Sequence, residues 1–179
     1  DLFLECLLHP QREAMIHKFV GERTAGKILD VPKDTETQKI GSAGVVGSGT
    51  MGGGIAMNFA NAGIPVIVLD QDEKNLERGI GVIEKNYQMM VDRGRLSQEM
   101  KDGVMSLITP SLNYEDLADC DIVVEAVYEN LDLKQEIFKK LDDVVKGDAI
   151  LASNTSGLDI DAISSVTNRP EKVVGTHFF

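Results

Sequence analysis

The sequence predicts an α/β domain with a mostly parallel, doubly wound sheet, preceded by a linker helix. Three observations carry the prediction. From Ile40 onward, short apolar runs alternate with helical patterns, the signature of strands crossing over through helices. A glycine-rich turn, Gly47-Ser48-Gly49-Thr50-Met51-Gly52, joins the first such strand to the first helix. An acid, Asp70, ends the second apolar run, eighteen residues after Gly52.

Taken in order, residues 1–29 read as helical, with Met15, Phe19, Ile16 and Val20 on one stripe and Arg12, Glu13, Lys18, Glu22 and Arg23 opposite. Pro10 suits a first turn, so a new helix starts near it. Gly26 and the segment Asp30-Val31-Pro32-Lys33-Asp34-Thr35 close this part as a linker. Residues 1–38 are therefore separated from a domain at 39–179. In that domain a strand is expected at about 41–46, then a helix from Thr50 to Asn61 closed by Gly63. Val66-Ile67-Val68-Leu69 reads as a buried parallel strand. A helix at about 72–93 follows, with Leu76, Ile80, Ile83 and Tyr87 on one face, and Ser97 caps another to about 104. Strands are expected at 105–109, stopped by Pro110, at 122–127, at 149–153 and at 173–177. Helices at 131–145 and 159–166 fill the gaps. Six strands in this order suit the Rossmann arrangement, with ligand at the carboxyl ends of the strands.

Composition narrows the function. Hydrophobic residues make up 42% and charged residues 26% of the 179-residue chain, the balance of a globular protein. No apolar run approaches the roughly 18 residues of a membrane span. A net charge of −11 argues against nucleic acid or an anionic membrane as partner, because both need a basic face. Cys6 and Cys120 are too far apart to suggest a disulfide framework or a metal site, which fits a cytosolic or similarly reducing compartment. The opening Asp1-Leu2-Phe3-Leu4-Glu5 has no basic segment of the kind that begins a signal peptide.

Each glycine of the turn has a mechanical task. Gly47 permits the tight turn, Gly49 leaves room for a pyrophosphate, and Gly52 lets the helix approach its strand. The phosphates then meet free backbone N–H groups and the positive end of the helix dipole. Gly53 and Gly54 add a helix-propensity cost of up to about 1 kcal/mol each, which close packing would offset. Asp70 would accept hydrogen bonds from the adenosine ribose and repel a 2′-phosphate, so NAD is favoured over NADP. The same residue also suits an N-cap for the 72–93 helix. At the same sheet edge stand Ser153-Asn154-Thr155-Ser156 and His177. The first is equally readable as a capped turn, and a single histidine as structural. Together with a cofactor fold, they suit oxidation of an alcohol. His177 would be the base, its ordinary pKa of about 6.5 lying near working pH, and Ser156 would orient the substrate oxygen.

Four segments in this order resemble one family: 47–56, Val123-Val124-Glu125-Ala126-Val127-Tyr128-Glu129-Asn130-Leu131, Ala152-Ser153-Asn154-Thr155-Ser156, and Gly175-Thr176-His177-Phe178-Phe179. They look like the NAD-binding domain of L-3-hydroxyacyl-CoA dehydrogenases over about 39–179. Residues 11–23 resemble the linker helix of the multifunctional fatty-acid oxidation enzymes, in which an enoyl-CoA hydratase domain comes first. The resemblance implies that Met51 and the glycine turn contact the pyrophosphate and that Asp70 holds the ribose. It implies that Val127, Tyr128 and Glu129 line the nicotinamide side and that Lys134 reaches the cofactor. Ser156 would touch substrate and nicotinamide ribose, and His177 would be the general base. Read without the resemblance, Lys134 is a solvated helix charge and Glu129 an acid at a helix start.

The implied reaction is NAD-dependent oxidation of a (3S)-3-hydroxyacyl-CoA to the 3-ketoacyl-CoA in fatty-acid β-oxidation. The implied setting is a homo-oligomer or multienzyme complex in the bacterial cytoplasm, or in the peroxisome or mitochondrial matrix of a eukaryote. The family's histidine pairs with a glutamate about a dozen residues downstream, past Phe179, and a helical C-terminal domain closes over the acyl chain. The chain is therefore expected to be part of a longer one and to turn over negligibly alone. Two departures from the family pattern are Gly44, where a larger apolar residue is usual, and Thr176, where relatives are often apolar. Two other readings are a Rossmann dehydrogenase for a small hydroxy acid, which would favour a lysine base, and a non-catalytic NAD-binding relative, which would be expected to lack Ser156 or His177.

Overall fold

The computed structural model describes residues 1–28, 31–32 and 34–178. The expected helix end at Leu29, the linker residues Asp30 and Lys33, and Phe179 of the last motif lie outside the described residues. The chain divides into two compact units, Asp1–Gln38 and Lys39–Phe179.

In the first unit the helical segment is two helices, α1 (Leu2–Leu8) and α2 (Pro10–Ala25). His9 separates them in an extended conformation, and Pro10 occupies the first turn of α2, where its missing N–H costs nothing. Neither helix has a buried residue. The stripe read from the sequence is exposed, Met15 at 67% and Phe19 at 58%, and the Arg23 guanidinium sits 5.1 Å from the Phe19 ring centre. Two helices of 7 and 16 residues are too little chain to build a core.

The second unit follows the strand–helix alternation. Its elements are β1 (Ala43–Val46), α3 (Thr50–Asn61), β2 (Val66–Leu69), α4 (Glu73–Asp92), α5 (Gln98–Met105), β3 (Ile108–Ser111), β4 (Ile122–Glu125), α6 (Leu131–Val144), β5 (Ile150–Ser153), α7 (Ile160–Ser164) and β6 (Val173–Gly175). Among the described residues these strands form one sheet in the order β3-β2-β1-β4-β5-β6, every pair parallel. The order reverses beside β1, so the carboxyl ends of β1 and β4 diverge into a crevice.

Successive strand residues serve opposite faces. Val45, Val124 and Ala152 pack with Ile55, Ala56, Ile83 and Tyr87 of α3 and α4. Val46, Val123 and Leu151 pack with Ile137, Phe138, Leu141 and Ile163 of α6 and α7. Gly44, unexplained by the sequence, has a packing cause. A Cβ there would lie 2.7 Å from Leu117 Cδ2 and 3.2 Å from Val123 Cγ2. Cys120 lies against the same spot, 2% exposed, and burial pushes its thiol up to about 11.

Three strands end elsewhere than expected. β3 runs later and contains Pro110, which pairs in register with Val68. β3 is the edge strand, and a proline lacking N–H is tolerated where no further strand asks for a donor. β4 stops at Glu125, because the Val127 N–H turns back to the Glu125 carboxylate. β6 stops at Gly175, so His177 follows the strand by two residues rather than ending it.

Candidate active site

The glycine turn is closed by backbone contacts. Gly47 has φ +105°, a conformation open to glycine and strained for other residues. Its N–H donates to Leu69 O at 2.7 Å. A Cβ on Gly52 would lie 1.8 Å from Gly47 O, whereas one on Gly49 would meet nothing within 4 Å. So Gly52 packs helix on turn, and Gly49 opens the turn outward. Helices α4 to α7 each begin with a side-chain cap, from Asp72, Ser97, Asn130 and Asp159. Helix α3 begins at Gly49 with no side-chain cap. Its first N–H groups are left for an anion.

These groups open on a cleft of about 590 Å³. Of the residues singled out in the sequence, Gly47, Gly49, Thr50, Met51, Asp70, Val127 and Tyr128 line it. Ser48, Asn75 and Arg78 also line it and were missed. Ser48 donates to Asp70 Oδ2 from its amide at 3.0 Å and from Oγ at 2.6 Å. Oδ1 accepts a longer bond from the Asp72 N–H, 3.3 Å. Burial acts to raise the Asp70 pKa, but the Ser48 hydroxyl and neighbouring N–H groups outweigh it and hold the carboxyl below its ordinary value. Asp70 is not the cap of α4. Asp72 is, accepting from the Asn75 N–H at 2.9 Å. A second missed position is Gly79, where a Cβ would lie 2.3 Å from Ser48 O. The signal was a glycine inside a helical pattern.

The remaining candidates sit to one side, outside the lining of the cleft. Lys134 is no solvated charge. Its side chain is 1% exposed, with Nζ 2.7 Å from Glu125 Oε1 and 3.5 Å from Glu129 Oε2. Glu129 accepts the Thr155 hydroxyl and the Ser156 N–H, the latter at 3.2 Å. The Thr155 hydrogen bond leads the causes that hold the Glu129 carboxyl below its ordinary value. Ser156 and His177 are both exposed. The segment carrying His177 is tied to the β5 exit on either side, by Thr176 N–H to Ser153 O at 2.9 Å and by Phe178 N–H to Asn154 Oδ1 at 2.8 Å. The Thr176 hydroxyl is buried without a hydrogen-bond partner among the described residues, which accounts for an apolar residue suiting that place.

An uncapped helix behind a glycine turn, with an acid closing the second strand of a 3-2-1-4-5-6 sheet, defines a dinucleotide-binding α/β domain. The chain belongs to the NAD-binding domain family of 3-hydroxyacyl-CoA dehydrogenases, whose family model matches residues 42–179. It is 38% identical over 177 residues to the fatty acid oxidation complex subunit alpha of Psychrobacter arcticus, covering 99% of this chain and 24% of that protein. It is 41% identical over 135 residues to a 3-hydroxybutyryl-CoA dehydrogenase of Clostridioides difficile, covering 75% of this chain and 48% of that one. Among solved structures, (S)-3-hydroxybutyryl-CoA dehydrogenase PaaH1 from Ralstonia eutropha superposes with TM-score 0.77 at 36% identity, over 79% of this chain and 50% of that one. The dehydrogenase part of multifunctional enzyme 1 from C. elegans gives TM-score 0.76 at 30% identity, over 92% and 39%. The chain thus spans about a quarter of the multifunctional relatives and about half of the single-function ones. The relatives include bacterial and peroxisomal proteins. No helix among the described residues is long and apolar enough to cross a membrane.

The cradle fits the family's cofactor, NAD. The turn is open where a pyrophosphate would approach at Gly49 and filled where it would not at Gly52. Gly47, Gly49, Thr50 and Met51 would hold the phosphates, and Asp70 the adenosine ribose.

Proposed function

We propose that this chain is the cofactor-binding part of an enzyme that oxidises a (3S)-3-hydroxyacyl-CoA to the 3-ketoacyl-CoA. One observation carries the reading. The Ser156 turn and the His177 segment leave adjacent strands at the same sheet edge as the cofactor cleft and are hydrogen-bonded to one exit, that of β5. When bound, NAD supplies the oxidant. The chain's own groups do the rest. The Ser156 hydroxyl orients the substrate oxygen, and the His177 imidazole takes the hydroxyl proton. Val127, Tyr128 and Glu129 wall the nicotinamide side, with Lys134 behind Glu129.

We also read residues 1–38 as a linker from an upstream hydratase domain, in keeping with relatives named as multifunctional enzymes. We place the whole in a homo-oligomer or multienzyme complex, and the relative named as a complex subunit supports the second. The compartment is then the cytoplasm in a bacterium, and the peroxisome or mitochondrial matrix in a eukaryote.

The test is His177→Ala in the full-length parent. Oxidation of 3-hydroxybutyryl-CoA is expected to fall roughly 100-fold or more, while NADH titration stays unchanged. Retained turnover would refute the assignment.

A further inference from the structure

Glu125 was given no role in the sequence analysis, and it is not among the residues lining the cleft. It is fully buried at the end of β4. Its Oε1 accepts the Val127 N–H and the Lys134 ammonium, both at 2.7 Å. Its Oε2 accepts the Ser153 hydroxyl at 2.6 Å. A buried ion pair is weak evidence for stability, since apolar side chains of similar volume often do as well. Another use for these charges is geometric.

We propose that Glu125 is a positioning residue for the dehydrogenase reaction, fixing the β4 and β5 exits against each other so that Ser156 is held beside the nicotinamide wall. The proposal rests on the function proposed above. The contacts form a closed loop. From Glu125 the path runs through Lys134 to Glu129, then to the Ser156 N–H. It returns along the backbone from Ser156 to Ser153, whose hydroxyl is bonded to Glu125. A second tie shortens the loop, because the Asn154 N–H donates to Glu125 O at 2.8 Å. Moving any member strains another contact. The interior dielectric strengthens the buried links from Glu125 to Lys134 and Ser153. Glu129 stays an anion at neutral pH, held below its ordinary pKa first by the Thr155 hydroxyl. Such accuracy matters because a shift of about 1 Å in a reacting group can cost up to about 100-fold in rate.

The experiment compares Glu125→Gln and Ser153→Ala in the full-length parent with Arg169→Gln as a structural control. Arg169 pairs with Asp142 at 2.6 Å and donates to the carbonyls of Asp142, Val145 and Lys146 at the end of α6, away from Ser156. Melting temperature, kcat and KM are measured per folded enzyme, with NADH titration of each variant. Glu125→Gln is expected to lower kcat about tenfold or more, and Ser153→Ala several-fold, with NADH binding weakened in both. Arg169→Gln is expected to lower the melting temperature and leave kcat in place. Unchanged kcat and NADH affinity in the Glu125 and Ser153 variants would overturn the proposal, whatever their melting temperatures. Ser153→Ala removes a single hydrogen bond and keeps the question answerable where Glu125→Gln does not fold. An inactive wild-type parent would refute the functional reading instead, and the NADH titrations would still decide the role of Glu125.

Discussion

The two walls of the cofactor edge are built on opposite principles. The β1–α3 wall is made by leaving atoms out: Gly47, Gly49 and Gly52 shape the turn, and α3 begins without a side-chain cap. The β4–α6 wall is made by putting charges in, with Glu125, Lys134 and Glu129 joined. The first binds with backbone N–H groups that cannot titrate. The second depends on ionised side chains that must all find partners. One wall is therefore sensitive to added volume and the other to changes of charge.

The largest effect is expected at Gly52. A methyl group there would be forced against Gly47 O, so Gly52→Ala should abolish NADH binding and cost about 1–3 kcal/mol in stability. NADH fluorescence titration and thermal unfolding measure both, and near-normal binding would break the account of the first wall. Next is Asp70. Replacing it by Ala removes the anion facing the ribose and should narrow the preference for NADH over NADPH by about tenfold or more. An unchanged ratio of the two affinities would show that something else selects the cofactor.

The second wall should respond to acid. Glu129 has its pKa lowered from 4.5, so its hold on Ser156 is complete above 4.5 and is lost as pH falls through the lower folded value. The Ser156 amide resonance should therefore titrate below 4.5, while the Gly47 amide, bonded to Leu69 O, should not follow it. A Ser156 midpoint at or above 4.5 would contradict the contact. The smallest effect is expected at Gly54, where a Cβ would meet nothing within 4 Å. Gly54→Ala should raise stability by up to about 1 kcal/mol through helix propensity, read as a higher melting temperature with NADH affinity intact.

The same contrast decides what the sequence could reveal. Gly47, Gly49 and Asp70 were legible because a turn of that shape leaves few options for residue type and spacing. Gly44 and Gly79 were not, since what crowds them, Leu117 and Ser48, arrives from elsewhere in the chain. Lys134 read equally well as a surface charge, because its partner Glu125 lies within an apolar run. Glu125 itself had no role in the sequence reading, since its partners Lys134 and Ser153 lie elsewhere in the chain. The edge position of β3 was equally hidden, and with it the freedom to carry Pro110 inside the strand.

The packing around Gly44 has a practical consequence. Cys120 is sealed beneath β1, and with its pKa at about 11 it carries little thiolate near neutrality. Cys6 is exposed on α1. A maleimide dye added to the native protein should therefore attach at one place, in the helical unit and not in the sheet. The wild-type chain comes with a ready-made labelling handle, and no cysteine has to be engineered in or out.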